Sequence, residues 1–161
     1  MKTTLAWAAL WAAILAGGYW ISSRLLAPPP VTHSPASGAR EIVVAADRNG
    51  HFYLDGSING TPLRFMVDTG ATYVSVSTAF ARSARLPPGA IGYFNTANGS
   101  VEGEVVKGQA VRAGPYELIG LSVAVMPAGG EEGLLGQNFL RRFDVSQSGG
   151  ELRLRPRPAA P

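Results

Sequence analysis

The strongest constraint on the fold is a β-hairpin signal in the middle of the chain. His51–Ile58 alternates between apolar and polar side chains, and Asn59-Gly60, the strongest short hairpin signal, follows it. Pro62–Val67 then returns as the expected partner strand. Further β-prone runs bounded by turn residues are Glu41–Ala46, Tyr73–Ser77, Gln109–Ala113, Tyr116–Met126 and Glu151–Arg155. The chain is therefore predicted to be mainly β, a small closed barrel or sandwich.

A second hairpin and two short helices complete the expected elements. Asn98-Gly99 is flanked by polar and β-prone residues, which predicts the second hairpin. Ser77–Ala84 is predicted to be a short helix with Ser77 or Thr78 as its N-cap, because a hydroxyl there accepts a backbone amide hydrogen bond. The spacing of apolar residues in Gly136–Phe143 predicts the other helix.

The first 26 residues have a different character. Lys2 and Arg24 bracket Thr3–Ser23, which contains no charged residue and is long enough to cross a bilayer as a helix. Residues 1–26 are therefore expected to be an uncleaved transmembrane anchor. The alternatives are a cleaved signal peptide, whose apolar core is shorter and whose cleavage Pro28–Pro30 would disfavour, and a buried helix of a soluble core. Lys2 favours a cytoplasmic N-terminus, which puts the folded part on the periplasmic side of the inner membrane of a single-pass protein.

Composition divides the remainder into three parts. Residues 27–40 are rich in Pro, Ser and Ala, which predicts a semi-extended linker. Residues 41–155 carry the β-prone pattern and have the size of a small single domain. Residues 156–161, with the sequence PRPAAP, are expected to be a disordered tail, because proline cannot donate to a sheet or a helix.

Composition also narrows the chemistry. The chain has no cysteine, which excludes disulfides, thiolate metal sites and a cysteine nucleophile. Its two histidines, His33 and His51, are too few for a multi-histidine zinc site, and neither lies in the context of a Ser-His-Asp triad. The formal charge of +3 resides partly in Arg141-Arg142 and the arginines after Gly150. These arginines fit a solvated end or attraction to anionic lipid, and a domain outside the cytoplasm argues against nucleic-acid binding.

The residues that carry chemistry are Asp68-Thr69-Gly70, at the end of the apolar run Phe65-Met66-Val67. Two carboxylates that share one proton can hydrolyse a peptide bond, since one acts as base on a water while the protonated one hydrogen-bonds the carbonyl. Such carboxylates must be held with little freedom. The hydroxyl of Thr69 can lock the loop, and Gly70 lets the backbone turn without a Cβ clash. The alternative is that Asp68 is a plain turn residue.

Several stretches together resemble a known family, the retropepsin-like aspartic proteases. They are RFMVDTGATYVSVS, the Gly-bearing hairpin after it, and GLLGQNFL. The closer likeness is to the bacterial, single-pass membrane-anchored branch, through HFYLDGSINGTPLRFMVDTGA and TANG. The resemblance covers about Gly50–Asp144. It implies a small closed β-barrel of the retropepsin type (the acid protease fold) with one or two short helices.

The resemblance also implies a role for each matching residue. Asp68 would be the catalytic residue, supported by the rest of the active-site loop, Thr69, Gly70 and Ala71. The strand that braces this loop would be Leu134, Leu135 and Gly136. The hairpin that closes over substrate, called the flap below, would carry Thr96, Ala97, Asn98 and Gly99 at its tip. Gln137 and Asn138 are expected to cap or to face solvent. No metal and no cofactor are implied.

The chain has one Asp-Thr-Gly and no Asp-Ser-Gly. Asp47, Asp55 and Asp144 lack the motif's context: Asp55-Gly56 fits a hairpin position, and Asp144 the end of a helix. One aspartate per chain implies a homodimer with the site on its two-fold axis. The predicted function is a membrane-anchored aspartic endopeptidase that acts on extended polypeptides. The alternatives are a catalytically silent peptide-binding or oligomerisation module and a purely structural periplasmic β-domain.

Overall fold

A computed structural model describes residues 7, 11, 14–22, 32–35, 41–96, 99–127 and 129–158. Residues 14–22 are helical. Within these ranges, no helix combines the length and the apolar character that spanning a bilayer requires. The expected membrane segment Thr3–Ser23 lies partly outside the described residues.

In the described residues, the domain contains strands of 3 to 15 residues and two short helices. The first strands are β1 (Thr32–Pro35), β2 (Ile42–Ala45), β3 (Tyr53–Ile58), β4 (Thr61–Val67) and β5 (Val74–Ser77). The later strands are β6 (Ala90–Thr96), β7 (Gly99–Ala113), β8 (Tyr116–Met126), β9 (Gly133–Leu135), β10 (Phe143–Ser148) and β11 (Glu151–Pro156). The helices of the domain are Thr78–Ser83 and Gln137–Leu140.

Six of the strands close into a barrel. Strands β8, β5, β9, β4, β3 and β7 are neighbours in that order, and pairing of β7 with β8 completes the ring. The β4–β9 and β5–β8 pairs are parallel, and the other pairs of the ring are antiparallel. Strand β6 extends beyond β7 as the outer arm of a hairpin, and β1 pairs with β8. The predicted closed β-barrel is therefore confirmed.

The core lies inside this barrel because apolar side chains alternate inward along each strand. In β4, Leu63 and Phe65 are buried while Arg64 between them is exposed. Complete burial of a side chain such as Phe65 stabilises the fold by about 2–3 kcal/mol. A separate sheet of β10, β11 and β2 adds Leu152 and Leu154 to the same core.

The first hairpin signal predicts its turn correctly. Asn59 and Gly60, with φ of 49° and 82°, form the two-residue connection between β3 and β4. This conformation explains the Asn-Gly pair, because both positions need positive φ. The second hairpin joins β6 to β7, and Ser77 caps the helix Thr78–Ser83 by accepting a hydrogen bond from the Phe80 amide.

Several predicted elements differ from the structure. Asp55-Gly56 lies in the middle of β3, where a Cβ on Gly56 would collide with the carbonyl oxygen of Arg112 on β7. The predicted helix Gly136–Phe143 ends at Leu140, so Asp144 lies in strand β10 instead of at a helix end.

Strand pairing also extends past the expected bounds of the domain, residues 41–155, at both ends. Thr32–Pro35, within the expected linker, pairs with Tyr116–Ile119 of β8. Pro156, within the expected disordered tail, is opposite Phe143 in the sheet, and the Arg157 amide donates to the Arg142 carbonyl. Strand β2 pairs only with Glu151–Leu154 of β11, so β11 is an edge strand at Pro156, where proline is tolerated.

Candidate active site

Asp68 lies where β4 leaves the barrel, and its own loop holds its side chain. The Asp68 amide donates a hydrogen bond to the Leu135 carbonyl at 3.2 Å, and the Ala71 amide donates to the Asp68 carbonyl at 3.3 Å. The carboxylate oxygen Oδ1 accepts from the Gly70 amide at 2.8 Å. A Cβ on Gly70 would lie 3.2 Å from the same Oδ1 atom, so glycine gives this turn its space. The Gly70 amide therefore orients the half-buried carboxylate.

Strand β9 lies between β4 and β5, the strands that precede and follow this loop. Leu135 is the parallel partner of Val67, and Leu134 is the antiparallel partner of Ser75. Gly136 follows at a point of very close approach, where a Cβ would collide with the Tyr73 carbonyl oxygen. The predicted bracing residues Leu134, Leu135 and Gly136 therefore lie directly against the Asp68 loop.

Gln137 and Asn138 contact the same loop, which the sequence interpretation missed. The Gln137 amide donates to the Ala71 carbonyl at 2.8 Å, and its side-chain Nε2 donates to the Thr69 carbonyl at 2.9 Å. Asn138 is buried, with an exposed fraction of 8%. Its backbone amide donates to the Thr72 carbonyl at 3.0 Å.

The side chain of Asn138 joins its short helix to two strands of the barrel wall, β5 and β8. Its Oδ1 accepts a hydrogen bond from the Val74 amide at 2.8 Å, and its Nδ2 donates to the Ser122 carbonyl at 2.7 Å. The expectation that Asn138 caps or faces solvent is therefore wrong. The sequence around Asn138 carries no signal for either partner, because both lie on distant strands.

The β6–β7 hairpin is the element to which the resemblance assigns the role of flap. The Thr96 hydroxyl donates to the Gly99 carbonyl at 2.8 Å, while the predicted tip residues Ala97 and Asn98 lie outside the described residues. Phe94 on the flap contacts Tyr73 edge to face, with ring centroids 6.4 Å apart. Tyr73 directly precedes β5, so this aromatic pair connects the flap to the segment that follows the Asp68 loop.

The outer face of β4 leads away from Asp68 and carries Met66 and Arg64. The Arg64 guanidinium lies 4.4 Å from the ring centroid of Tyr53 on the neighbouring strand. Burial, and next the nearby Glu132 carboxylate, raise the pKa of Tyr53 above its ordinary value, so its hydroxyl stays protonated and able to donate.

The described residues include no group of three or more His, Cys, Asp or Glu side chains that could hold a metal ion. The chemistry available in the loop is that of one oriented carboxylate. Such a group can accept a proton from water, but it cannot at the same moment donate one to a carbonyl oxygen. Peptide hydrolysis by carboxylates therefore requires a second one nearby.

Comparisons with known proteins identify chains of similar sequence. A family model described as gag-polyprotein putative aspartyl protease matches residues 54–142. The chain is 30% identical over 125 residues to an uncharacterized protein in the cobV 5′ region of Sinorhizobium sp, with 74% of this chain and 54% of that protein covered. It is 29% identical over 106 residues to an uncharacterized protein of Rickettsia prowazekii (strain Madrid E), with 64% and 46% covered. The chain thus spans about half the length of the curated relatives it matches.

The fold has a counterpart among solved structures. The crystal structure of a retropepsin-like aspartic protease from Rickettsia conorii is similar with a TM-score of 0.56 and 24% sequence identity, covering 79% of this chain and 93% of that chain. The matched region of the family model includes the Asp68 loop, the flap and strand β9. The chain belongs to the family of gag-polyprotein putative aspartyl proteases, with a retropepsin-like fold.

Proposed function

We propose that this chain is an aspartic endopeptidase that is active as a homodimer. The observation that carries the proposal is the Asp68 carboxylate, held by the Gly70 amide in a loop that β9 and the Gln137–Leu140 helix brace. In the assembled site, one Asp68 takes a proton from water while its protonated counterpart hydrogen-bonds the scissile carbonyl. The attacking water needs no cofactor in this scheme.

Two chains are required because the mechanism needs two carboxylates and each chain contains one copy of the motif. Each chain supplies one Asp-Thr-Gly, and Asp47, Asp55 and Asp144 lie outside the Asp68 loop. If a two-fold axis lies beside the loop, Asp68 of the second chain supplies the second carboxylate, so one motif per chain is enough. Two like charges this close do not both ionise, so the pair holds one proton over a range of pH.

We also propose that the charge-free segment Thr3–Ser23 anchors the chain in the inner membrane, with the β-domain on the periplasmic side. Anchoring confines two copies to one plane, which raises their effective concentration and favours the dimer. The substrate would be an extended segment of another protein, held between the flap and the Asp68 loop.

The test is peptide cleavage by the purified full chain. Wild type, Asp68→Asn, Asp68→Ala and the matched control Asp55→Asn are incubated with a library of extended peptides, and products are identified by mass spectrometry. Asn keeps an oxygen for the Gly70 amide, so circular dichroism should show an intact fold. We expect both Asp68 variants to lose activity by about a hundredfold or more, and the control to keep it.

Two results would contradict the proposal in different ways. Cleavage that survives Asp68→Ala overturns the mechanism. A wild-type chain that binds extended peptides without cutting any of them would identify a silent peptide-binding module with the same fold.

A further inference from the structure

The sheet of β10, β11 and β2 ends in a free edge at β10. Strand β10 pairs with β11 on one side, and no described strand lies on its other side. Residues 144–148 of this strand are all exposed. The strand contains no proline and no lysine, the residues that commonly block sheet edges, and the charge of Asp144 is paired with Arg157 at 2.7 Å. The β10 edge is therefore open to pairing with another strand.

The turn after β10 determines which backbone groups of this strand point to the free edge. Gly149 and Gly150 have φ of 58° and 78° and form the two-residue connection between β10 and β11. Such a turn closes on a hydrogen-bonded pair, here Ser148 and Glu151. Along an antiparallel ladder, hydrogen-bonded pairs alternate with pairs whose backbone groups point away from each other. Counting back from Ser148, every second residue of β10 therefore directs its backbone groups outward.

The outward-pointing residues are Phe143, Val145 and Gln147. Phe143 lies opposite Pro156, and a proline, which has no N–H, fits a pair that exchanges no hydrogen bonds. Val145 also leaves apolar surface at this edge, because it lies opposite the completely buried Leu154 yet has an exposed fraction of 38%. A strand that paired with β10 would satisfy these backbone groups and cover Val145.

Strand β10 follows directly from the helix that braces the Asp68 loop. Gln137, at the start of this helix, donates a hydrogen bond to the Thr69 carbonyl at 2.9 Å. Phe139 within the helix stacks on Phe143, the first residue of β10, with ring centroids 5.6 Å apart. One short, packed segment thus joins the edge to the loop, so a second copy that pairs with β10 acquires a defined position relative to the loop.

We propose that β10 is the edge through which two copies of this chain join, each β10 pairing antiparallel with the other about a two-fold axis. The two three-stranded sheets then form one continuous sheet. Identical strands that pair in this way use the same surface on both copies, as a closed dimer requires. The proposal rests on the proposed homodimer and names the surface that builds it.

The outward-pointing groups also set the register of this pairing. If the axis passes through Val145, this residue lies opposite itself, and Phe143 lies opposite Gln147 of the other copy. All outward-pointing residues of both strands then exchange hydrogen bonds, and the two Val145 side chains cover each other. An axis through Ser146 would instead put Phe143 opposite Gly149, in the turn. We therefore expect the axis at Val145.

The first test is disulfide cross-linking, because the chain has no cysteine and each single substitution reports on one position. Cysteine is introduced singly at residues 144–148 of the full chain in detergent, and dimers are measured on non-reducing gels after oxidation. Directly opposite Cα atoms lie about 5.5 Å apart, within reach of a disulfide, while the adjacent positions lie farther from their own counterparts. We expect a cross-linked dimer for Val145→Cys. The matched control Val43→Cys, at an exposed valine of β2 on the opposite edge, should stay monomeric on the gel.

The second test uses charge at the same position. Val145→Lys places two like charges opposite each other, as does Val145→Glu, and each should raise the dissociation constant of the dimer about fivefold in sedimentation velocity. An equal mixture of the two variants should dimerise as well as wild type, because opposite charges then meet across the axis. Circular dichroism checks that each variant keeps the fold.

The possible results separate this interface from the other proposals. A wild-type dimer that gives no cross-link from any β10 cysteine, or gives one from Val43→Cys, would overturn the interface and leave the homodimer. A cross-link at a different single residue of β10 would support the edge and overturn the register. A chain that is monomeric at every concentration would overturn the interface and the homodimer together. Failure to cleave any peptide would overturn the peptidase alone, since neither test depends on catalysis.

Discussion

The side chain of Asn138 provides a quantitative test of how the helix that braces the Asp68 loop is held against the barrel. It accepts a hydrogen bond from the Val74 amide and donates one to the Ser122 carbonyl, at 2.8 and 2.7 Å. Asn138→Ala leaves the buried Val74 N–H and the Ser122 C=O without their partners. An unsatisfied buried group costs about 1–3 kcal/mol, and Ser122 is only partly buried. We therefore expect the free energy of unfolding to fall by about 2–4 kcal/mol.

Urea unfolding followed by far-ultraviolet circular dichroism measures this change. Tryptophan fluorescence is unsuitable because Trp7, Trp11 and Trp20 all precede the β-domain. Gln137→Ala is the matched control, since it removes one hydrogen bond of an exposed side chain and should cost about 0.5–1 kcal/mol. A free energy of unfolding for Asn138→Ala within about 0.5 kcal/mol of wild type would refute the bracing role of this side chain.

Three further changes test other parts of the structure. Gly136→Ala introduces a collision with the Tyr73 carbonyl and should lower the free energy of unfolding by about 1–3 kcal/mol, measured by the same urea titration. The His51 backbone amide lowers the pKa of Asp47 below 3.8, so this contribution to stability is present above pH 3.8 and lost as pH falls through the lowered pKa. The melting temperature of Asp47→Asn should therefore fall less than that of wild type as the pH is lowered through this range. Phe94→Ala removes the edge contact with Tyr73 and should raise KM for peptide cleavage about two- to tenfold.

The sequence predicts best where local residues decide the structure. Asn59-Gly60 specifies a turn by itself, because the positive φ angles that the turn needs are those that Asn and Gly tolerate. Ser77 likewise caps its helix through an atom three residues from its partner. Asp68-Thr69-Gly70 belongs to this class, since the loop's hydrogen bond from Gly70 to the Asp68 side chain is internal to the motif.

Features that depend on distant strands were not predictable in this way. Asn138 contacts Val74 and Ser122, and nothing in the sequence around it indicates either partner. Asp55-Gly56 has the composition of a turn, yet it is a strand because the absent side chain of Gly56 lets β7 approach closely. The apolar spacing that predicts a helix as far as Phe143 instead places Phe143 in the core as the first residue of β10, where it stacks on Phe139.

The central claim, that Asp68 is one half of a site built by two chains, is tested most directly by mixing wild type with Asp68→Asn before the chains assemble. Cleavage is measured at constant total protein as the wild-type fraction changes. If each site needs Asp68 from both chains, activity falls with the square of the wild-type fraction, to about one quarter in an equal mixture. Activity that falls in simple proportion, to about one half in that mixture, would contradict the account.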